Sequence, residues 1–587
     1  MSQYPAAALL ARLPPPPVAE CAARLEFARA LFRVGRMADA AQCSLESIPH
    51  ADEELRFDLG LLHANTEAVA GKTERAIAEA EALVPVLPRQ SFARDAHLCR
   101  GYALAGRGPE AVGLLERWAA RPIPAGVSVP ARMQLVHAAG ALGYLDTARQ
   151  TLAAISGDSD YDQWVIWLAW LPLELEAGRL DRAESLGDRL RLEAASDSYL
   201  YPMLEHVSIA IAIERGCGAE IVPRVNALME YLAVRHDVQT LAATGELSDD
   251  LATSGFDGIS PASSPLLTPD GAYLRWRRET LLQQTSEPPS PDFARVPVAE
   301  FPRQAAAQWH AAQAQLDALE GRNDAAAEHL ASAIDIARIA GLGRLRFALL
   351  RLSAQVAVTA ADWDTLARRR DDLRVLAAEM PSRRAGAWAN WSDLLCSRDP
   401  PPPEEWFGLL AADHEMSRLC AATLGATVAL NRWEQVLVAA TRRRWNAARY
   451  LLRPHAERID PGQAWAVDFV RDRVFAPGCE PLDLSRAAAT RSLLLTLAIE
   501  QRASKQELAE HVWGVAEYHR LRDDKRMQVA LRKLRLRIER EPSNPKRVVT
   551  DDDGYRLSAE APLIVLAPAE LAGRVDASMA SDWTPAS

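Results

Sequence analysis

Ala70-Gly71-Lys72-Thr73 has the ending of a phosphate-binding loop, in which backbone N–H groups and a lysine cradle a phosphate. That chemistry needs a glycine-rich turn between a strand and a helix. Here position 66, where the first glycine belongs, is Thr66, and the segment before it has helical texture. Gly106-Arg107-Gly108-Pro109-Glu110-Ala111 fits the GxGxxA pattern of dinucleotide sites, but it too follows a helical stretch. Both are expected to be plain turns between helices. The twelve histidines form no HExxH pair, and no GxSxG elbow occurs. Seven cysteines, at 21, 43, 99, 217, 396, 420 and 479, show no CxxC spacing and are odd in number, which argues against a zinc site and a disulfide framework and fits a reducing compartment. The expectation is a protein with no catalytic residues, no cofactor and no metal. Trp164, Trp167 and Trp170 make a helical stripe that suits core packing between helices better than the lining of a groove.

The remaining constellation is basic. The chain of 587 residues carries a net charge of −11, which by itself disfavours nucleic acid as a partner. The distribution reverses that reading. Of five lysines in the whole chain, four lie between Lys505 and Lys546. From Arg520 to Arg547 eleven Lys and Arg face four Asp and Glu, a local charge of +7 on an otherwise acidic body. Within that run Met527, Leu531, Leu534 and Ile538 recur at helical spacing as one apolar stripe, while Gln528, Arg532 and Arg535, joined by Lys525, share another face. Arginine can grip a guanine edge with two hydrogen bonds and glutamine an adenine edge, so Gln528, Arg532 and Arg535 are the expected base-reading residues. Ser504, Lys505, Lys525, Lys533 and Arg556 are expected at phosphates.

The elements that must hold this face come in two textures. Over the first 245 residues a Gly-x4-Ala pair recurs as Gly35/Ala40, Gly71/Ala76, Gly106/Ala111, Gly143/Ala148 and Gly178/Ala183, with 36, 35, 37 and 35 residues between successive glycines. Each glycine closes one apolar helical stretch, and each alanine lets the next helix pack closely. A sixth unit is expected over Tyr199 to Asp237. Residues 246–303 are rich in Ser, Pro, Gly and Asp and read as a linker, with a short helix over Ala272 to Gln284. Helical repeats resume over 304–460, beginning with Gly321/Ala326 and broken by Asp399 to Pro403. Length excludes a single core, no apolar run is long enough to span a membrane, and the N-terminus lacks a secretory signal, so a cytoplasmic location is expected.

Residues 461–560 are mixed. Trp465, Val467 and Phe469 alternate as in a strand, and Val474-Phe475 and Leu482 to Leu484 flank a turn at Ala476 to Glu480. Helix one is expected from Arg486 to Arg502 and helix two after Ser504, which with Glu507 forms a capping box. Helix three runs from Asp524 to Arg540. Two strands, Arg547 to Thr550 and Tyr555 to Ser558, close the segment around Asp551-Asp552-Asp553-Gly554, and residues 561–587 are left as a tail.

The first texture resembles the tetratricopeptide repeat; Trp167 stands sixteen residues before Ala183, as in that family, while other units lack most of its Trp, Tyr and Pro. The second resembles the OmpR/PhoB-type winged helix-turn-helix. Its markers are Leu482-Asp483-Leu484-Ser485, Glu507-Leu508 with Val512-Trp513-Gly514, the run Val529 to Arg535, and Gly554-Tyr555-Arg556-Leu557. The fold class implied is mostly α, a tetratricopeptide-like α-solenoid followed by a small α+β winged-helix domain. The function implied is a bacterial transcriptional regulator that binds double-stranded DNA. Helix three would enter the major groove, the wing would reach a minor groove, and the loop from Gly514 to Asp524 would meet RNA polymerase. The repeat body would take a protein, peptide or small-ligand effector, and a homo-oligomer is compatible with this family. Asp551 to Asp553 stand where the family usually has a basic residue and glycine, and no receiver domain is recognisable. The competing reading is a non-enzymatic assembly scaffold whose winged helix binds protein.

Overall fold

The structure, a computed structural model, describes residues 11–157, 160–191, 201–216, 218, 220–235, 244, 247, 248, 251, 259, 302–426, 428–445, 448–453 and 463–568. Most of the linker expected over 246–303, its short helix at Ala272 to Gln284, and residues 569–587 of the tail lie outside the described residues. The described chain is mostly helical with a small C-terminal sheet region. Among the described residues no helix is long and apolar enough to cross a membrane.

The Gly-x4-Ala pairs are the turns of helical hairpins. Cys21–Arg33 is followed by Met37–Ser47, Glu53–Val69 by Thr73–Ala82, Pro88–Leu104 by Gly108–Ala119, Val129–Ala141 by Leu145–Ala153, and Asp160–Glu176 by Leu180–Arg191. Gly35, Gly71, Gly106, Gly143 and Gly178 all have φ between 76° and 82°, the left-handed conformation only glycine adopts without cost. The residue after each glycine then donates its N–H back to the helix, as in Arg36 to Leu31 O at 2.9 Å and Arg179 to Glu174 O at 2.8 Å, so exposed carbonyls at the helix end are satisfied. Ala40, Ala111, Ala148 and Ala183 are 0% exposed and Ala76 is 1% exposed, because the second helix crosses where nothing larger fits. Tyr201–Glu214 and Ile221–Arg235 form a sixth hairpin around Gly216, whose φ is 79°. The phosphate-loop and dinucleotide look-alikes are thus two of these turns. Lys72 pairs with Glu67 at 3.1 Å, and Gly108 starts a helix after a helix. Trp164 is buried in the core, whereas the rings of Trp167 and Trp170 lie under Arg189 and Arg182.

The chain forms two compact units, residues 1–356 with 372–385, and residues 357–371 with 386–587. The helices from Arg303 to Ile339 belong to the first of these units. Arg303 donates its N–H to Leu142 O at 3.3 Å and stacks its guanidinium on Tyr144. From there Arg303–Leu319 and Asn323–Ile339 make another hairpin around Gly321, with φ of 78° and Ala326 at 0% exposure.

In the second unit, helices Trp406–Leu410, His414–Thr423 and Arg432–Arg443 precede the sheets. The strands are β1 (Ala448–Arg453), β2 (Trp465–Asp468), β3 (Arg473–Phe475), β4 (Leu482–Asp483), β5 (Arg502–Ser504), β6 (Val548–Thr550), β7 (Gly554–Leu557) and β8 (Leu563–Pro568). The helices among them are α1 (Ala488–Glu500), α2 (Lys505–Trp513) and α3 (Arg520–Ile538). One sheet has the order β1-β8-β2-β3-β4, the other β5-β7-β6. β1 and β8 correct the sequence reading, which placed 448–453 in the helical region and 563–568 in the tail. Both are short and largely apolar, and they pair with each other antiparallel, Ala448 opposite Pro568, while β8 also runs parallel to β2. α1–α3 share one core with the strands. Leu493, Leu497, Leu508, Met527, Leu531, Leu534 and Ile538 meet Trp465, Val548 and Leu557 there.

Candidate nucleic-acid interface

Three local devices orient the helices of the second unit. Gln501, with φ of 57°, ends α1 two residues before Ala503, turning the chain into β5 where the sequence reading continued the helix to Arg502. Ser504 then accepts the N–H of Glu507 at 3.2 Å while the Glu507 carboxylate accepts the N–H of Ser504 at 2.7 Å, so the expected capping box starts α2. Gly514, with φ of 65°, ends it. The loop that follows is shorter than expected, because α3 begins at Arg520 rather than Asp524. Asp523 sets that start. Its carboxylate accepts the N–H of His519 at 2.8 Å and pairs with Arg522 at 2.9 Å, and these contacts hold its pKa down to about 2. Asp524 bonds the Tyr518 hydroxyl and pairs with Lys505 at 3.3 Å, which ties the loop and the first turn of α2 to α3.

The acidic groups of α3 are therefore turned inward, and its outer surface is cationic. Met527, Leu531, Leu534 and Ile538 are all 2% exposed or less. On the opposite side Gln528, Arg532, Lys525 and Lys533 are exposed, together with Arg526 and Arg537. By helical spacing Gln528 and Arg532 share a face of α3 with Arg535, whose guanidinium reaches Val548 O on β6. Lys525, Arg526 and Lys533 face a cleft of about 590 Å³ whose far wall is Arg486 to Thr490, the uncapped N-terminal turn of α1. That cleft gathers five basic side chains, Arg486, Arg522, Lys525, Arg526 and Lys533, of which Arg522 pairs with Asp523, with backbone N–H groups of a helix start, a combination suited to a phosphate. Arg486 and Arg526 were not singled out from the sequence. The signal that could have found Arg526 is its place one helical turn before Val529 and two before Lys533.

Arg535, the third expected base reader, is engaged with the wing. It is half-buried, and its guanidinium donates to Val548 O and Thr550 Oγ1, both at 3.0 Å, above the Tyr555 ring. It joins α3 to the wing. Burial lowers its pKa, with Tyr555 and Glu539 opposing that shift. Lys505 is partly withdrawn by Asp524, Ser504 keeps its hydroxyl at the start of α2, and Arg556 is exposed on β7.

The acidic wing tip is partly neutralised from the neighbouring strand. Arg502, opposite Arg556 in the β5–β7 register, places its Nε 2.7 Å from Asp551 and a terminal nitrogen 3.9 Å from Asp553. Asp552 remains exposed.

Among the described residues no group of three or more His, Cys, Asp or Glu could hold a metal ion. Comparison with protein-family models gives no match for this chain, and comparison with curated proteins gives none either.

Proposed function

We propose that this protein is a DNA-binding transcriptional regulator, with a tetratricopeptide-like α-solenoid as input module and an OmpR/PhoB-type winged helix as output. The observation that carries the reading is the sorting of charge on α3: its acids are tied into the loop and helix starts, and its outer face presents Lys525, Arg526, Arg532 and Lys533 together. In this reading α3 lies in the major groove of double-stranded DNA with Gln528 and Arg532 at base edges. Lys525, Arg526, Lys533, Arg486 and the start of α1 hold one phosphate strand, and Ser504, Lys505 and Arg556 approach the other. The full-length chain should shift a DNA duplex in a gel, with affinity falling steeply as salt rises. Binding that ignores salt would remove the proposal.

A second reading, a scaffold whose winged helix binds protein, is favoured by Leu521 and Leu536 on α3, 83% and 58% exposed. In the first reading Leu521 lies beside the loop expected at RNA polymerase. In the second, Leu521→Ser would weaken a protein complex and the chain would shift no DNA.

The wing offers an independent check. If the tip approaches DNA, replacing Asp551, Asp552 and Asp553 by Asn removes carboxylates near phosphates and releases Arg502. Binding should tighten at low salt by ~0.2 to 1 kcal/mol per carboxylate and gain less at high salt. Equal affinities at low salt would place the tip away from the duplex.

A further inference from the structure

Four arginines of the first unit gather around three residues of one helix, Trp167, Trp170 and Glu174 of Asp160–Glu176. Arg149 comes from Leu145–Ala153, the second helix of the fourth hairpin. Arg182 and Arg189 come from Leu180–Arg191, the second helix of the fifth, and Arg179 from the turn before it. The Arg189 guanidinium lies 3.6 Å from the centre of the Trp167 ring, and those of Arg182 and Arg149 lie 5.1 and 6.0 Å from that of Trp170.

Glu174 is 0% exposed and has Arg149, Arg179 and Arg182 at 3.4, 3.7 and 3.7 Å, yet neither of its oxygens has a hydrogen-bond partner. It fixes the guanidiniums without occupying their N–H groups. Among the described residues these four side chains donate no hydrogen bond. Neighbouring acids are engaged elsewhere: Asp181 and Glu184 pair with Arg215, and Asp188 pairs with Arg191. The cluster therefore carries an excess of three positive charges, and Arg179, Arg182 and Arg189 are exposed.

A guanidinium held against an indole and a buried acid is already ordered, and its fork matches a carboxylate with two parallel hydrogen bonds. Nucleic acid fits less well. Single strands bind by stacking bases on bare aromatic rings, whereas these rings carry guanidiniums, and a chain of net charge −11 repels a long polyanion. Seven residues of helix separate Arg182 from Arg189, a rise of roughly 10 Å. Three residues of extended chain cover about the same distance. We propose that the seam between the second helices of the fourth and fifth hairpins binds an extended acidic peptide, one carboxylate at Arg149 and Arg182 and another, three residues away, at Arg189. This deepens the reading of the helical unit as an input module and rests on it, by naming the chemistry of the partner.

The test is calorimetric titration of the full-length protein with capped hexapeptides. Gly-Glu-Gly-Gly-Glu-Gly should bind, its Gln analogue should not, and Gly-Gly-Glu-Glu-Gly-Gly, of equal charge, should bind at least tenfold more weakly. Arg182→Gln with Arg189→Gln should lower affinity for the first peptide at least tenfold. Both side chains are exposed, so the helical circular dichroism spectrum should be unchanged, and the single variant Arg189→Glu should weaken binding in the same way. Equal binding of the two acidic peptides, binding unaffected by both variants, or no binding at millimolar peptide would each overturn the proposal. Tighter binding of a thymidine hexanucleotide, lost in the same variants, would overturn it in favour of nucleic acid. Peptide binding by a protein that shifts no duplex would leave this site standing and sink the DNA reading. A duplex shift without peptide binding would do the opposite.

Discussion

Replacing Lys525, Arg526 and Lys533 together by glutamine should cut the affinity of the full-length chain for a random-sequence duplex by about a hundredfold or more. The three side chains line one wall of the cleft beside the start of α1, all exposed on the outer face of α3. A hydrogen bond to a charged group contributes on the order of 1.5 to 3 kcal/mol, so three lost phosphate contacts exceed the ~2.7 kcal/mol that a hundredfold needs. The slope of log affinity against log salt should also flatten by about 2.7, since each neutralised phosphate accounts for ~0.9. Arg532→Ala should behave differently. It should relax discrimination at one base pair by ~1 to 3 kcal/mol and leave random-sequence binding nearly intact. A triple variant with the wild-type slope would mean that any DNA lies on another face.

The contrast between Arg532 and Arg535 shows what a sequence can and cannot disclose about such a site. Both lie on α3, three residues apart, and both fall on its non-apolar side. Only the position of β6 separates them, because Val548 O and Thr550 Oγ1 occupy the Arg535 guanidinium while Arg532 stays outside. That position depends on long-range packing, which helical periodicity does not encode. Local requirements were legible for the opposite reason. A left-handed glycine followed five residues later by a close-packed alanine is a short-range demand, and six such pairs appear with φ between 76° and 82° and alanines 0 to 1% exposed. The capping box of Ser504 and Glu507 is equally local. β1 and β8 were missed because six-residue apolar strands carry no period that separates them from helix, and their partners are distant in the chain. The +7 segment was visible as composition, but the inward turn of Asp523 and Asp524 that leaves the outer face cationic was not.

Gly554→Val should destabilise the second unit more than a change at any other glycine discussed here, and the reason is a backbone approach rather than a backbone angle. Ser504 and Gly554 are register partners in β5 and β7. A Cβ on Gly554 would sit 2.1 Å from Ala503 O and 2.7 Å from Ser504 Cα, and neither backbone atom can move without opening the sheet. Overpacking typically costs 1 to 3 kcal/mol, and a backbone obstacle puts this case near ~3 kcal/mol. For a unit of this size that corresponds to a melting transition lowered by roughly 6 to 12 °C. Gly514→Ala is the matched control. Its φ of 65° is also left-handed, yet nothing lies within 4 Å of the added Cβ, so only the conformational cost of ~1 to 2 kcal/mol applies. The order of effects should therefore be Gly554→Val well beyond Gly514→Ala, measured by calorimetry of the full-length protein. Because Ser504 caps α2 and Arg535 anchors α3 to β6, opening β5 from β7 should also cost DNA affinity below the melting transition. The Gly514→Ala chain should keep it. Equal melting temperatures for the two variants would mean that the β5–β7 contact is looser than its register implies, and that the wing is not held at the base of α2.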